Sequence, residues 1–144
     1  MLLRMVLIFV GGGCGSVLRD LLSGWVKYYF ANPATPDAAI PTATTPFPVG
    51  TLTVNILGCL AIGFLVPVLT GPLKIREEYH FALVIGMLGG FTTFSSFAWE
   101  SLSLANDRQY LQVGLYILLS TAVGLAAAWA GSRVAIACAW SPTA

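Results

Sequence analysis

Four stretches of the chain are apolar and almost free of charge: about residues 3–30, 49–69, 79–105 and 111–137. Each matches or exceeds the ~20 residues that a helix needs to cross a bilayer. Length and lack of charge, rather than a periodic polar face, decide their assignment as spans. Between them the pattern changes. Residues 31–48 are rich in Pro, Thr and Ala (Pro33, Pro36, Pro41, Pro46 and Pro48), which predicts a loop. Residues 71–78 are short and charged and open on Gly71-Pro72, a helix stop. Residues 106–109 form a polar turn, and residues 141–144 a tail. The predicted architecture is an all-α integral membrane protein, one four-helix domain over residues 1–144.

Short second and third connections make spans two, three and four run antiparallel. An even number of spans places both termini on one side. Arg4, Lys74, Arg76 and Arg133 fall on that side, and Lys27 and Arg108 on the other. The basic excess favours cytoplasmic termini, but the bias is weak and permits insertion both ways.

Composition fits the pattern. Of 144 residues, 57% are hydrophobic and 9% charged, against about 25% charged in a soluble domain. Mean hydropathy is +0.82. So few charges cannot solvate a globule, so the outside faces lipid. Net charge is +1 with no basic tract, so no nucleic-acid partner is expected. Cys14, Cys59 and Cys138 lie singly in apolar runs and read as small buried residues. The N-terminus reads as the start of span one rather than a cleaved leader, because Gly11-Gly12-Gly13 interrupts its apolar run. His80, the sole histidine, sits at a span boundary and reads as interfacial.

In lipid the informative residues are polar, since each costs free energy unless it is paired or faces water. Arg19 lies deep in span one beside Asp20. It serves either an electropositive vestibule or local compensation with Asp20. Asn55 lies two turns into span two, with Thr51 one turn earlier on the same face. Asn55 either donates to a permeating anion, with Thr51 beside it on the anion pathway, or joins helices. Gly86/Gly90, Gly11/Gly15 and Gly124/Ala128 have the spacing that lets helices approach closely.

Span three carries Gly89-Gly90-Phe91-Thr92-Thr93-Phe94-Ser95-Ser96-Phe97. Paired Gly and paired Thr are poor helix formers. They predict either a helix break at membrane depth, which survives only when buried or lining a cavity, or a Gly-rich packing face. Phe91, Phe94 and Phe97 share a face if the helix continues. They form either a packing stripe or a set of ring edges, whose partial positive charge suits an anion. Ser95, Ser96 and Thr93 add hydroxyl donors, and Tyr116 and Ser120 in span four extend a polar track.

These residues resemble a known family. Gly50-Thr51-Leu52-Thr53-Val54-Asn55-Ile56-Leu57-Gly58 is similar to the span-two signature of the CrcB/Fluc fluoride channels, and residues 89–97 to their span-three signature. Residues 11–19, ending at Arg19, fit the start of the family's first span. The resemblance covers all four spans. It implies an antiparallel, dual-topology homodimer in the cell inner membrane that exports fluoride passively through two pores. It also implies a structural Na⁺ at the dimer centre, held by backbone carbonyls of Gly89 and Thr92. Phe94 and Phe97 match the pore phenylalanines, Asn55 the pore asparagine, and Ser95 and Ser96 the polar track. Tyr116 matches the span-four tyrosine and Arg19 the vestibule arginine. Ser96 stands where Thr is more usual and keeps the hydroxyl; the 31–48 loop is long for the family.

No nucleotide motif or catalytic constellation is present, so no enzymatic role is expected. Two other readings remain: a proton-coupled exporter of the small multidrug-resistance kind, and a non-transporting accessory subunit. The first needs a free span-one carboxylate, and Arg19 adjoins Asp20.

Overall fold

The computed structural model describes residues 1–31, 45–71 and 75–139. Most of the proline-rich connection, Lys74 and the 141–144 tail lie outside the described residues. The elements run α1 (Leu2–Ala31), α2 (Val49–Thr70), α3 (Glu77–Phe81), a π-helix (Ala82–Leu88), α4 (Gly89–Phe91), α5 (Phe94–Asn106) and α6 (Tyr110–Ala139). The described residues form no strand. Four stretches are long and apolar enough to cross a membrane: Leu2–Phe30, Val49–Thr70, Glu77–Asn106 and Tyr110–Cys138. The third of these is assembled from α3, the π-helix, α4 and α5.

The outward surface confirms the solvent. Phe9, Leu111 and Leu125 are each more than 70% exposed on this chain. Such a surface suits acyl chains or a second subunit, not water. Trp25, Tyr28 and Tyr29 stand exposed near the end of α1, and Tyr110 at the start of α6. In an up-down bundle these positions share one end, where amphipathic rings sit at the headgroup level.

Packing follows the glycines. α1 lies along the π-helix and α4, and α2 along α6. A Cβ on Gly11 would come 2.5 Å from the Ala82 carbonyl oxygen, and one on Gly86 2.8 Å from that of Ile8. Gly15 meets the Met87 carbonyl and Gly90 that of Gly12 in the same crossing. The two expected small-residue pairs are thus two sides of one contact. In the other pair, Gly63 meets the Ala128 carbonyl, and Gly131 that of Leu60. Backbone against backbone is the tightest approach helices make, and lipid offers little hydrophobic drive to replace it.

The third span loses its helix at two residues. Thr92 has φ −81°, ψ 156°, and Thr93 has φ −148°, ψ 119°, both extended. Two glycines weaken the preceding turn, and β-branched threonines accept extended geometry readily. A side chain from α2 then satisfies the freed backbone.

Candidate functional site

Asn55 holds the break. Its Nδ2 donates to the Thr93 carbonyl at 3.0 Å, and its Oδ1 accepts from the Thr93 amide at 2.9 Å. The primary amide thus stands in for a neighbouring peptide. One N–H of Asn55 is left over. Packing supports the clamp: a Cβ on Gly58, one turn along α2, would strike the Thr92 methyl.

Beyond the break α5 starts afresh. Thr93 is its N-cap, and its Oγ1 accepts from the Ser96 amide at 3.2 Å. The Thr93 hydroxyl also lies 3.1 Å from Ser96 Oγ and 3.3 Å from Ser95 Oγ. Three hydroxyls therefore gather at the first turn of a 13-residue helix. That end carries partial positive charge and unpaired amides. Its place is mid-span: Phe94 stands 17 residues past Glu77, where the third membrane stretch begins, and 12 before Asn106, where it ends.

The aromatic rings follow. Phe94 and Phe97 have centroids 5.6 Å apart at 42°, and Phe97 lies 5.0 Å from Tyr116 at 53°. Phe91 belongs to α4, on the far side of the break, and is not in this row. Phe94 is 80% exposed on the single chain. A cavity of about 400 Å³ is lined by Asn55, Thr93, Phe94, Phe97 and Ser120 among others. The Ser120 hydroxyl is buried with no partner among the described residues. A buried donor without an acceptor is costly, and a guest with lone pairs relieves it.

Above the rings sits a network that sequence reasoning placed only in part. Thr51 Oγ1 donates to Glu100 Oε1 at 2.7 Å, and Tyr116 Oη donates to Glu100 Oε2 at 2.7 Å. Tyr116 is fully buried and Thr51 nearly so. Thr51 and Tyr116 were expected as donors to an anion; here each hydroxyl proton is committed to a carboxylate. Glu100 is the residue the sequence reading did not assign. Its signal was a lone acid one turn past Ser96, inside an apolar span, where an acid demands partners.

Arg19 stays apart from this cluster. No ion pair joins it to Asp20 among the described residues, whose sole ion pair is Arg76–Glu78 at 3.6 Å on the surface. Local compensation with Asp20 is therefore not formed.

The break also frees carbonyls. The Thr92 amide and hydroxyl both donate to Leu88, at 2.9 and 3.0 Å. The Thr93 amide goes to Asn55 and the Ser96 amide to Thr93 Oγ1. Among the described residues, none of these donors reaches the Gly89 or Thr92 carbonyl. Gly89 and Thr92 both line the cavity, and backbone carbonyl oxygen is the ligand type that a hard cation takes.

Known proteins match this chain along most of its length. The family model described as CrcB-like protein, Camphor Resistance (CrcB) matches residues 6–132. A protein of Solibacter usitatus named fluoride-specific ion channel FluC is 37% identical over 134 residues, 92% of this chain and 98% of that protein. The protein of that name from Roseiflexus is 35% identical over 92% of this chain and 97% of its own length. That of Phocaeicola vulgatus is 42% identical over 84% of this chain and 88% of its own. Matched from the first span to the last, and nearly end to end with these relatives, the chain belongs to the CrcB family.

Proposed function

We propose that this chain is a passive fluoride-selective channel of the cell inner membrane, an ion channel and not an enzyme, that lets fluoride leave the cytoplasm. The observation that carries the reading is the α5 N-terminus: a helix begun inside the membrane, with three hydroxyls gathered at it, beside the Phe94–Phe97 pair. Its relatives' name supplies the ion.

The chemistry follows from what fluoride loses. A small anion leaving water needs short N–H and O–H donors to replace its shell. The free N–H of Asn55 and the hydroxyls of Ser95, Ser96 and Ser120 supply such donors. The helix end supplies partial positive charge without a counter-ion that would trap the anion. The edges of Phe94 and Phe97 supply weak positive potential for the same reason. Thr51 and Tyr116 join the track where Glu100 releases one of them. Arg19, free of Asp20, draws anions to the vestibule.

A second copy, packed antiparallel, completes the assembly with two such routes. Support for it is the face left open: Phe94 is 80% exposed and the cavity unroofed in one chain. The Gly89 and Thr92 carbonyls would hold a Na⁺ shared at the centre. When bound, that ion supplies positive charge at the depth where an anion is least welcome.

Purified protein in liposomes loaded with fluoride, opened by a K⁺ ionophore, tests the reading with a fluoride electrode. Fast fluoride release with chloride retained is the expected result. Release only under a proton gradient would replace the channel by a coupled exporter, and no release from inserted protein would leave an accessory subunit.

A further inference from the structure

Residues 45–48, the last of the α1–α2 connection, have no regular structure and yet are tied firmly. The Thr45 amide donates to Asp107 Oδ2 at 2.8 Å, and the Thr45 hydroxyl donates to the same oxygen. Gln109 Nε2 donates to the Thr45 carbonyl at 2.9 Å. Three hydrogen bonds thus converge on one residue from the turn between α5 and α6. That turn does not need those side chains for itself. It is closed by backbone bonds from Asp107 to Ser103, Arg108 to Ala105 and Gln109 to Leu104.

Two residues on, Phe47 sets its ring edge-on to Tyr116, with centroids 5.7 Å apart at 74°. Pro48 is buried, and its carbonyl accepts from Leu52 in the first turn of α2. The segment is therefore held at both ends, with Phe47 between. Phe94, Phe97, Tyr116 and Phe47 form one unbroken row of rings, from the break to the helix ends. Phe47 is its outermost member and the only one outside a span. It covers the residue whose hydroxyl is committed to Glu100.

We propose that residues 45–48 are a strap that positions the outer end of the anion route: Asp107 and Gln109 hold Thr45, which seats Phe47 on Tyr116 and keeps the Tyr116 hydroxyl on Glu100. The role rests on the channel reading. Phe47 and Asp107 are positioning residues that act through Tyr116. Without the ring, Tyr116 gains room and water reaches the Glu100 carboxylate, so the donors at the mouth lose their fixed aim.

Fluoride efflux from sparsely loaded vesicles, each with at most a single assembly, separates positioning from folding. The fraction of vesicles that empty counts competent assemblies; the rate of emptying reports each one's conduction. Phe47→Ala should leave the fraction at the wild-type value and slow the rate about fivefold, the scale of one lost ring pair. Phe47→Tyr, which keeps the ring, should conduct at the wild-type rate. Asp107→Asn, on an exposed side chain whose turn closes without it, should slow the rate in the same direction. Adding Phe47→Ala to Tyr116→Phe should slow conduction no further than Tyr116→Phe alone. A wild-type rate in both Phe47→Ala and Asp107→Asn overturns the strap. So does a reduced fraction at an unchanged rate, which marks a merely structural residue, or effects of Phe47 and Tyr116 that multiply. Wild-type vesicles that keep their fluoride would show that the channel reading itself has failed, and the strap's role with it.

Discussion

Asn55 meets Thr93 with both ends of its amide, so substitution there touches structure and conduction together. Asn55→Ala leaves the Thr93 N–H and C=O without partners inside the membrane, at a cost of about 1–3 kcal/mol for each group. Asn55→Asp keeps an acceptor for the Thr93 amide but loses the donor to its carbonyl and adds a negative charge on the anion's route. Fluoride flux should collapse in Asn55→Asp, with a smaller loss of thermal stability than in Asn55→Ala. Wild-type flux in the aspartate variant would confine Asn55 to holding the break. Phe94→Ile and Phe97→Ile remove ring edges while keeping apolar bulk. Each should cut flux about tenfold or more, the effect of some 1.4 kcal/mol at the barrier, with an unchanged elution volume of the assembly. Unchanged flux in both would return the rings to packing. From sequence, Asn55 could serve an anion or join helices; the geometry assigns most of its bonding to the join and leaves a single N–H. Glu100 was legible only as an acid in an apolar span. Its partners lie 49 and 16 residues away in the chain, and no local pattern announces such pairing.

Helix-scale features divide the same way. Long apolar runs mark membrane helices because lipid leaves the backbone no other partner, and all four were legible on that ground. Gly-Gly and Thr-Thr in span three pointed to the place where the backbone turns extended. The π-helix over Ala82–Leu88 was not legible, since its residues carry no Pro or charge that distinguishes them from an α-helical run. The small-residue pairs were visible as spacing, but not that Gly11/Gly15 and Gly86/Gly90 face each other. That contact makes a sharp prediction. Gly15→Leu drives a side chain into the Met87 carbonyl, where backbone cannot yield, and should abolish a stable fold as read by loss of the monodisperse peak in detergent. Gly13→Leu, where a Cβ meets nothing within 4 Å, is the control and should elute as wild type. The α5–α6 turn adds a pH signature. The Thr45 hydroxyl and then its amide hold the Asp107 carboxyl below the usual carboxylate range. A lowered folded value means that the latch contributes above the unfolded pKa and is lost as pH falls through the folded one. Asp107→Asn should therefore melt below wild type at neutral pH and converge with it once the pH has fallen below the lowered folded pKa of Asp107; a gap that persists in acid would take the carboxylate charge out of the latch.

At the scale of the whole molecule, one chain is an open object. Its cavity is lined by Gly89 and Thr92 beside an exposed Phe94, and lipid tails offer the broken backbone there no polar partner. The charges that would choose an orientation are sparse: Lys27 and Arg108 at one end, Arg4, Lys74, Arg76 and Arg133 at the other. A difference of two basic residues is a weak preference where each contributes about 1 kcal/mol near an anionic surface. An antiparallel pair requires that weakness, because it needs both insertions from a single sequence. A cysteine appended after Ala144, in a background with Cys14, Cys59 and Cys138 replaced by Ser, reads it out. In intact cells an impermeant maleimide should label close to half of the chains, and permeabilisation should expose the remainder. Labelling of all or none would mean that every chain inserts one way, and an antiparallel pair could not form. Raising the bias tests the same link through function: Asn106→Lys and Glu78→Lys, one at each end, should drive orientation in opposite directions. Each alone should lower fluoride release, and co-expression should restore it, because two biased chains then supply the pair that neither makes with itself.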